Sequence, residues 1–263
     1  MNAKMYIITH KVTDIPELEG NVPLLVGAAN NPNKELFTVR DCDGENISAK
    51  NKNYCELTGV YWLWKHSDVD AVGICHYRRF FTKAMISNDA KHYLTGSDME
   101  KLLSRYEVIV PRKLYRARSI RDSLDNAPSP TDMAELEKTL GLLCPEYLPE
   151  YHMYMNGNQA FLYNMCVMRK EMFDSYCQWL FDILFHIEKN YDISMRNDYE
   201  ARLFGFLSER LLHIWLLHNI PKDRIKQMRV VKTDVSEFRL AGQFVKNWMR
   251  NVKWIVRKTM GKE

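Results

Sequence analysis

The sequence has little of what would place it outside a cell, across a membrane or in a common nucleotide-binding class. Its six cysteines, Cys42, Cys55, Cys75, Cys144, Cys166 and Cys177, form no Cys-x-x-Cys pair and no metal-finger spacing. Scattered thiols in apolar surroundings read as reduced, packed side chains of a cytosolic protein. No run approaches the roughly 18 uninterrupted apolar residues of a spanning helix. The apolar run within Met1–His10 is too short for a secretory leader, so the expected location is cytoplasmic. Neither a Walker loop nor a Gly-x-Gly-x-x-Gly fingerprint is present. His213 and His218 are five apart and face different sides of a helix, and no His-x-x-x-His pair occurs, so the expected metal ligands are none. There is no internal repeat and no low-complexity segment.

What is present suits a soluble globular chain. At 263 residues, 46% apolar and 27% charged, it can build one α/β domain with elaborations or two small ones. The net charge of +4 is unevenly spread. From Arg239 to Glu263, seven basic residues against one acid give +6, which leaves −2 for the rest. A basic tail follows a nearly neutral body.

Hydrophobic patterning predicts strands at Met5–Thr9, Ala71–Cys75 and Tyr106–Val110, an extended segment at Pro23–Ala29, and a mixed strand over Gln159–Met168. A helix capped by Asn51 or Asn53, with Glu56 complementing the dipole of its first turn, turns Leu57, Val60, Tyr61 and Trp64 inward. Further helices are predicted at Ser97–Ser104 (Ser97 and Glu100 as a capping box), Thr131–Leu140, Lys170–Lys189 and Asp198–His218. Arg112–Pro130 is basic and then proline-punctuated; it reads as a mobile lid or as a surface excursion. Helices alternate with strands through the first two-thirds, so the expected class is α/β, a mostly parallel Rossmann-like sheet flanked by helices, with a helical C-terminal third.

The strongest candidate site is His76-Tyr77-Arg78-Arg79, delivered at the end of a buried strand. Ligands of open α/β sheets sit outside the carboxyl ends of strands. Two adjacent guanidiniums there suit a planar, doubly accepting group, and a phosphate-bearing substrate is the first expectation. The preceding loop offers Asp41, Asp43, Asn46, Ser48 and Asn51 as partners for a ribose or sugar, or for its own backbone. Asn156-Gly157-Asn158 suits either a sugar site or a turn, whereas Asn164, inside an apolar segment, needs buried partners. Asp198, Glu200, Arg202, Glu209 and Arg210 mark a late helix; Arg202 and Glu209 are expected to share a face, and a carboxylate here could act as a general base.

The tail places Ala241, Phe244, Val245, Trp248, Val252 and Ile255 at helical spacing, with Lys246, Arg250, Lys253 and Arg257 between them. Such a basic amphipathic helix suits an anionic membrane surface, or packs on the body. The expected division is 1–238 for the main domain and 239–263 for this helix.

Three stretches, Asp41–Lys65, Val72–Phe81 and Gly205–Leu212, resemble a bacterial family carried as domain of unknown function 4422. Asn164–Glu171 and Tyr176–Phe181 look like its later blocks, and the likeness runs from about Met5 to Leu217. Members are usually described as capsular or exopolysaccharide glycosyltransferases. The resemblance implies a GT-A-like fold and a nucleoside-diphosphate sugar donor, with UDP-linked galactofuranose or galactose as best guess. It also implies a lipid-linked glycan acceptor and a place on the inner face of the membrane. Most GT-A enzymes hold a divalent metal through an Asp-x-Asp motif where this chain has His76–Arg79, so metal dependence is in doubt and no cofactor is expected to be required. On this reading His10, Asp41, Asn46, Ser48 and Asn51 contact the nucleotide side, together with His76 and Tyr77, and Arg78 and Arg79 take the diphosphate. Asn156, Gly157, Asn158, Asn164 and Arg202 face sugar or acceptor, and Glu209, or else Asp198 or Glu200, removes the acceptor's proton with inversion. Two other classes compete: a non-catalytic nucleotide-sugar-binding scaffold of an assembly complex, and a nucleic-acid binder. The near-neutral body and the lack of a recognised motif speak against the second.

Overall fold

Alternation with a period of two decides how the strands sit. A computed structural model describes residues 1–85, 87–124, 128–234 and 237–260, with backbone alone for 237–241, 243 and 244. In β1 (Ala3–Thr9), Tyr6 and Ile8 enter one core and Met5 and Ile7 the other. The same split holds for Val72 and Ile74 against Ala71 and Cys75, so the sheet is covered on both faces.

After β1 come β2 (Asn21–Leu25), a short helix α1 (Asn51–Tyr54), α2 (Leu57–His66), β3 (Ala71–His76) and β4 (Arg79–Thr82). They are followed by α3 (Gly96–Leu103), β5 (Val108–Pro111), β6 (Leu114–Tyr115), α4 (Pro130–Leu143), α5 (Leu148–Asn156), β7 (Gln159–Ala160) and β8 (Val167–Arg169). The chain ends in α6 (Lys170–Asn190), α7 (Leu203–Asn219), β9 (Ile225–Lys232) and α8 (Glu237–Thr259).

The main sheet has the order β2-β1-β3-β4-β9-β5-β8, and β8 also pairs back onto β3, so the pairings close a ring. β1 is parallel to β2 and β3, and β5 is parallel to β9; the pairs β3–β4, β4–β9, β5–β8 and β3–β8 are antiparallel. The sheet is therefore mixed, not mostly parallel. Two features missing from the sequence reading account for this. His76 and Arg79 face each other across a tight hairpin, which reverses the chain directly into β4. The last third is not purely helical either: β9 returns from α7 and fills the middle of the sheet.

Local chemistry moves other boundaries. Thr95 and Asp98 form the capping box of α3, in place of Ser97 and Glu100, while Ser129 and Asp132 cap α4. Neither Asn51 nor Asn53 caps a helix; the expected single helix breaks at Cys55, held at φ 52° and ψ −127°. The expected strand 159–168 is interrupted because Tyr163 and Asn164 both adopt positive φ, 81° and 49°. Of the expected loop Arg112–Pro130, residues 125–127 lie outside the described residues, and the part up to Ile120 is tied down: β6 pairs with β7, and the Arg116 and Ile120 amides donate to the Asn158 and Gly157 carbonyls at 2.7 Å each.

Helix α8 docks through polar side chains. The Tyr115 amide donates to Asn247 Oδ1 at 2.7 Å, and Asn247 Nδ2 reaches the Lys113 carbonyl at 3.3 Å. Its apolar residues Val245, Trp248 (62% exposed), Met249, Val252, Ile255 and Val256 face outward. The side chains of Arg239, Ala241 and Phe244, and residues Lys262 and Glu263, lie outside the described residues. Among the described residues no helix is long and apolar enough to cross a membrane.

Candidate active site

The carboxyl ends of β1, β2 and β3 share one edge of the sheet, since all three run parallel with Ile8 beside His76. His10 leaves β1 here and packs edge-on against Tyr77, ring centroids 5.4 Å apart. Burial lowers the His10 pKa, and nearby Lys11, Arg78 and Arg202 lower it further, so this edge is cationic. Tyr77 and Arg78 form the hairpin turn; Lys11 Nζ and the Arg78 guanidinium lie 5.5 and 4.9 Å from the Tyr77 ring centre. Arg78 also meets Asp234 at 3.3 Å, with both side chains 48% exposed.

His76 closes the floor. Its Nε2 lies 2.5 Å from the Tyr163 carbonyl, which can only accept, so Nε2 carries the proton and Nδ1 is free to accept. Burial lowers the His76 pKa against the opposing pull of Glu56, which favours the neutral ring. Arg79 stands over the opposite aromatic: its guanidinium is 4.7 Å from the Tyr163 ring centre, and Lys232 Nζ is 5.3 Å from it.

Two carboxylates complete the cluster. Glu209 Oε1 accepts the Tyr163 amide at 2.7 Å, and Oε2 meets Arg210 at 2.9 Å. Burial raises the Glu209 pKa, outweighing the opposing pull of Arg210 and of that amide. Glu56 follows the strained Cys55, and its Oε1 accepts Asn164 Nδ2 at 2.6 Å. Glu56 acts electrostatically on Glu209, His76 and Arg202, which places all four in one neighbourhood. Asn164 also donates to the Gly205 carbonyl at 3.0 Å, while its buried Oδ1 has no hydrogen-bond partner. Three non-glycine residues at positive φ, Cys55, Tyr163 and Asn164, thus surround this cluster, the kind of backbone strain that gathers at functional sites.

The structure sorts the sequence candidates. His10, His76, Tyr77, Arg78, Arg79, Asn164, Arg202 and Glu209 come together. Asp41 and Ser48 do not face solvent at all: Asp41 accepts the Gly27 and Ala28 amides at 2.8 and 3.0 Å and the Ser48 hydroxyl at 2.5 Å, so both hold the loop after β2. Asn46 satisfies its own loop through the Cys42 and Gly44 carbonyls and the Ser48 amide. Asn51 donates to the Cys55 carbonyl and to Thr58, and its Oδ1 would lie 2.8 Å from a Cβ placed on Gly27 (φ 65°), so its side chain joins the α1–α2 break to the loop after β2. Asn156 ends α5 exposed, Gly157 caps it, and buried Asn158 binds the Arg116 carbonyl and lies 3.5 Å from Asn251; these residues brace the Arg116 loop and α8. Asp198 is a surface partner of Lys52, 94% exposed. Glu200 makes no hydrogen bond or ion pair with the cluster among the described residues. Arg202 precedes α7 in a 3-10 turn, so it does not share a helical face with Glu209; its Nε donates to Cys55 Sγ at 3.2 Å.

Sequence reasoning missed Glu56, Cys55, Tyr163, Lys11 and Lys232. Only Glu56 carried a signal, its place between Cys55 and the aromatic helix. Among the described residues no group of three or more His, Cys, Asp or Glu side chains is placed to hold a metal ion. Asp68-Val-Asp70 has the Asp-x-Asp spacing but lies at the amino end of β3, where Asp70 accepts the Asn2 amide at 2.6 Å. The carboxyl edge is lined by the cations Lys11, Arg78 and Arg202 around His10.

The family model described as domain of unknown function (DUF4422) matches residues 4–220. No curated protein matches the chain significantly. Among solved structures, the apo form of the bifunctional glycosyltransferase WbbM is similar, with a TM-score of 0.77 and 27% identity. That match covers 89% of this chain and 45% of the other, so the chain spans less than half of that protein's length.

Proposed function

The chain belongs to the DUF4422 family, and we propose that it is a glycosyltransferase moving a hexose, galactofuranose or galactose, from a UDP-sugar to a lipid-linked glycan in surface-polysaccharide synthesis. The observation that carries the reading is the meeting of paired carboxylates and a bank of cations at one carboxyl edge of the sheet. The likeness to WbbM supports it.

The chemistry follows from charge. The acceptor hydroxyl gives its proton to a carboxylate of the Glu56–Glu209 pair as its oxygen bonds to the anomeric carbon. The bond from that carbon to the diphosphate breaks, and its electron pair leaves with UDP. Arg78 and Arg79 offset the charge that builds on the leaving group, and no step uses a metal. A single displacement inverts the anomeric centre, which NMR of the product would check. His10 and Tyr77 flank the nucleotide, and Arg202 faces the sugar. The outward face of α8, flanked by Lys246, Arg250, Lys253 and Arg257, suits an anionic bilayer on the cytoplasmic side.

The decisive experiment screens UDP, GDP, dTDP and CMP sugars for thermal stabilisation and turnover, with manganese and with EDTA. Stabilisation and transfer with a UDP-sugar in EDTA is the expected result. Binding without turnover would make the protein a scaffold, and no response to any donor would remove the reading.

A further inference from the structure

Arg79 and Lys232 stand directly opposite each other in the antiparallel β4–β9 pair. Both side chains therefore emerge on the same face, and both rest on the ring of Tyr163, at 4.7 and 5.3 Å. Like charges facing across a strand pair destabilise a sheet. Neither cation forms an ion pair among the described residues. Asp234 is occupied by Arg78, and both oxygens of Glu209 are already engaged. The ring beneath them is itself fixed, since the Tyr163 amide is held by Glu209 and its carbonyl by His76.

Two cations held side by side on one aromatic platform form a receptor for an anion with two charged centres; Glu209 acts on Arg79 electrostatically, but its oxygens are held by the Tyr163 amide and Arg210. The geometry points to Lys232 as a second diphosphate-binding residue, which closes with Arg79 on the leaving diphosphate of the donor. This rests on the donor reading above and extends it to β9. Arg79 offers a planar fork and Lys232 a mobile point charge, a division suited to holding a group whose charge grows as the sugar departs. The arrangement carries a signature that a purely structural lysine lacks. Removing Lys232 takes away repulsion in the free protein and attraction in the complex, so stability and affinity move in opposite directions.

The test titrates wild type, Lys232→Met and Lys232→Arg with UDP and with inorganic pyrophosphate, alongside thermal melting. Lys232→Met is expected to bind both probes about tenfold more weakly, with an unchanged or higher Tm and a shallower salt dependence. Lys232→Arg should restore most of the affinity. Wild-type binding that Lys232→Met leaves intact, or a loss that only tracks a falling Tm, would overturn the clamp while the donor reading stands. Wild-type protein that binds neither probe would overturn both.

Discussion

Glu56 and Asn164 meet at 2.6 Å although 108 positions separate them. The contact fastens the break between α1 and α2 to the left-handed turn between β7 and β8, and Asn164 carries it on to α7 through the Gly205 carbonyl. Glu56 Oε2 is left without a hydrogen bond among the described residues. Glu56→Gln should therefore lower kcat by about 10²–10⁴-fold, the usual contribution of a positioned general base, with UDP affinity kept. A variant with normal turnover would remove Glu56 from the chemistry and leave Glu209.

Glu209 should betray its burial in pH-dependent stability. Its folded pKa is raised, so the folded state binds this proton more tightly than the unfolded chain does. That contribution is fully present below the unfolded value of about 4.3 and is lost as pH rises through the folded value. Glu209→Gln is neutral throughout, so its Tm relative to wild type should climb with pH across this window. A difference that stays flat between pH 4 and 8 would contradict the assignment.

Arg78 is partly occupied by Asp234. An exposed pair contributes only about 0–1 kcal/mol, so Asp234→Asn should leave Tm nearly unchanged. Freed from that competitor, Arg78 should bind UDP up to about fivefold more tightly, the affinity equivalent of 1 kcal/mol. Weaker binding would show that Asp234 serves the ligand instead.

Asp41→Ala strands the half-buried Gly27 amide, the buried Ala28 amide and the Ser48 hydroxyl. Orphaned buried donors cost about 1–3 kcal/mol each, so a loss of roughly 3 kcal/mol is expected in denaturant unfolding. Full stability with lost UDP binding would restore a direct donor contact for this carboxylate.

Replacing Trp248, Val252 and Ile255 together with Ser should abolish co-sedimentation with anionic liposomes and leave turnover on a soluble acceptor intact. Equal partitioning of variant and wild type would end the membrane reading.

What the sequence disclosed follows from how local each signal is. The short apolar runs of β1 and β3 and the inward stripe of α6 (Phe173, Tyr176, Leu180, Leu184) are short-range and legible. The His76–Arg79 site was legible as composition, but not as a hairpin, because Tyr77-Arg78 lacks the glycine or asparagine that marks a tight turn. Cys55 and Tyr163 take positive φ without glycine or asparagine, so nothing in those letters announces the breaks they make, and Asn164 alone is of a type that favours it. Glu56 passed for a helix-dipole partner because its neighbours in space come from residues 76, 164, 202 and 209. β9, with polar residues at Lys226, Gln227, Arg229 and Lys232, becomes recognisable only once β4 and β5 are there to flank it.

The position of β9 has a consequence for synthesis. A ribosome releases β4 and β5 more than a hundred residues before the strand that belongs between them. Until Lys232 emerges, each presents a bare edge of unpaired amides and carbonyls to other nascent chains. A chain stopped at residue 220, where the family match ends, would keep both edges open for good.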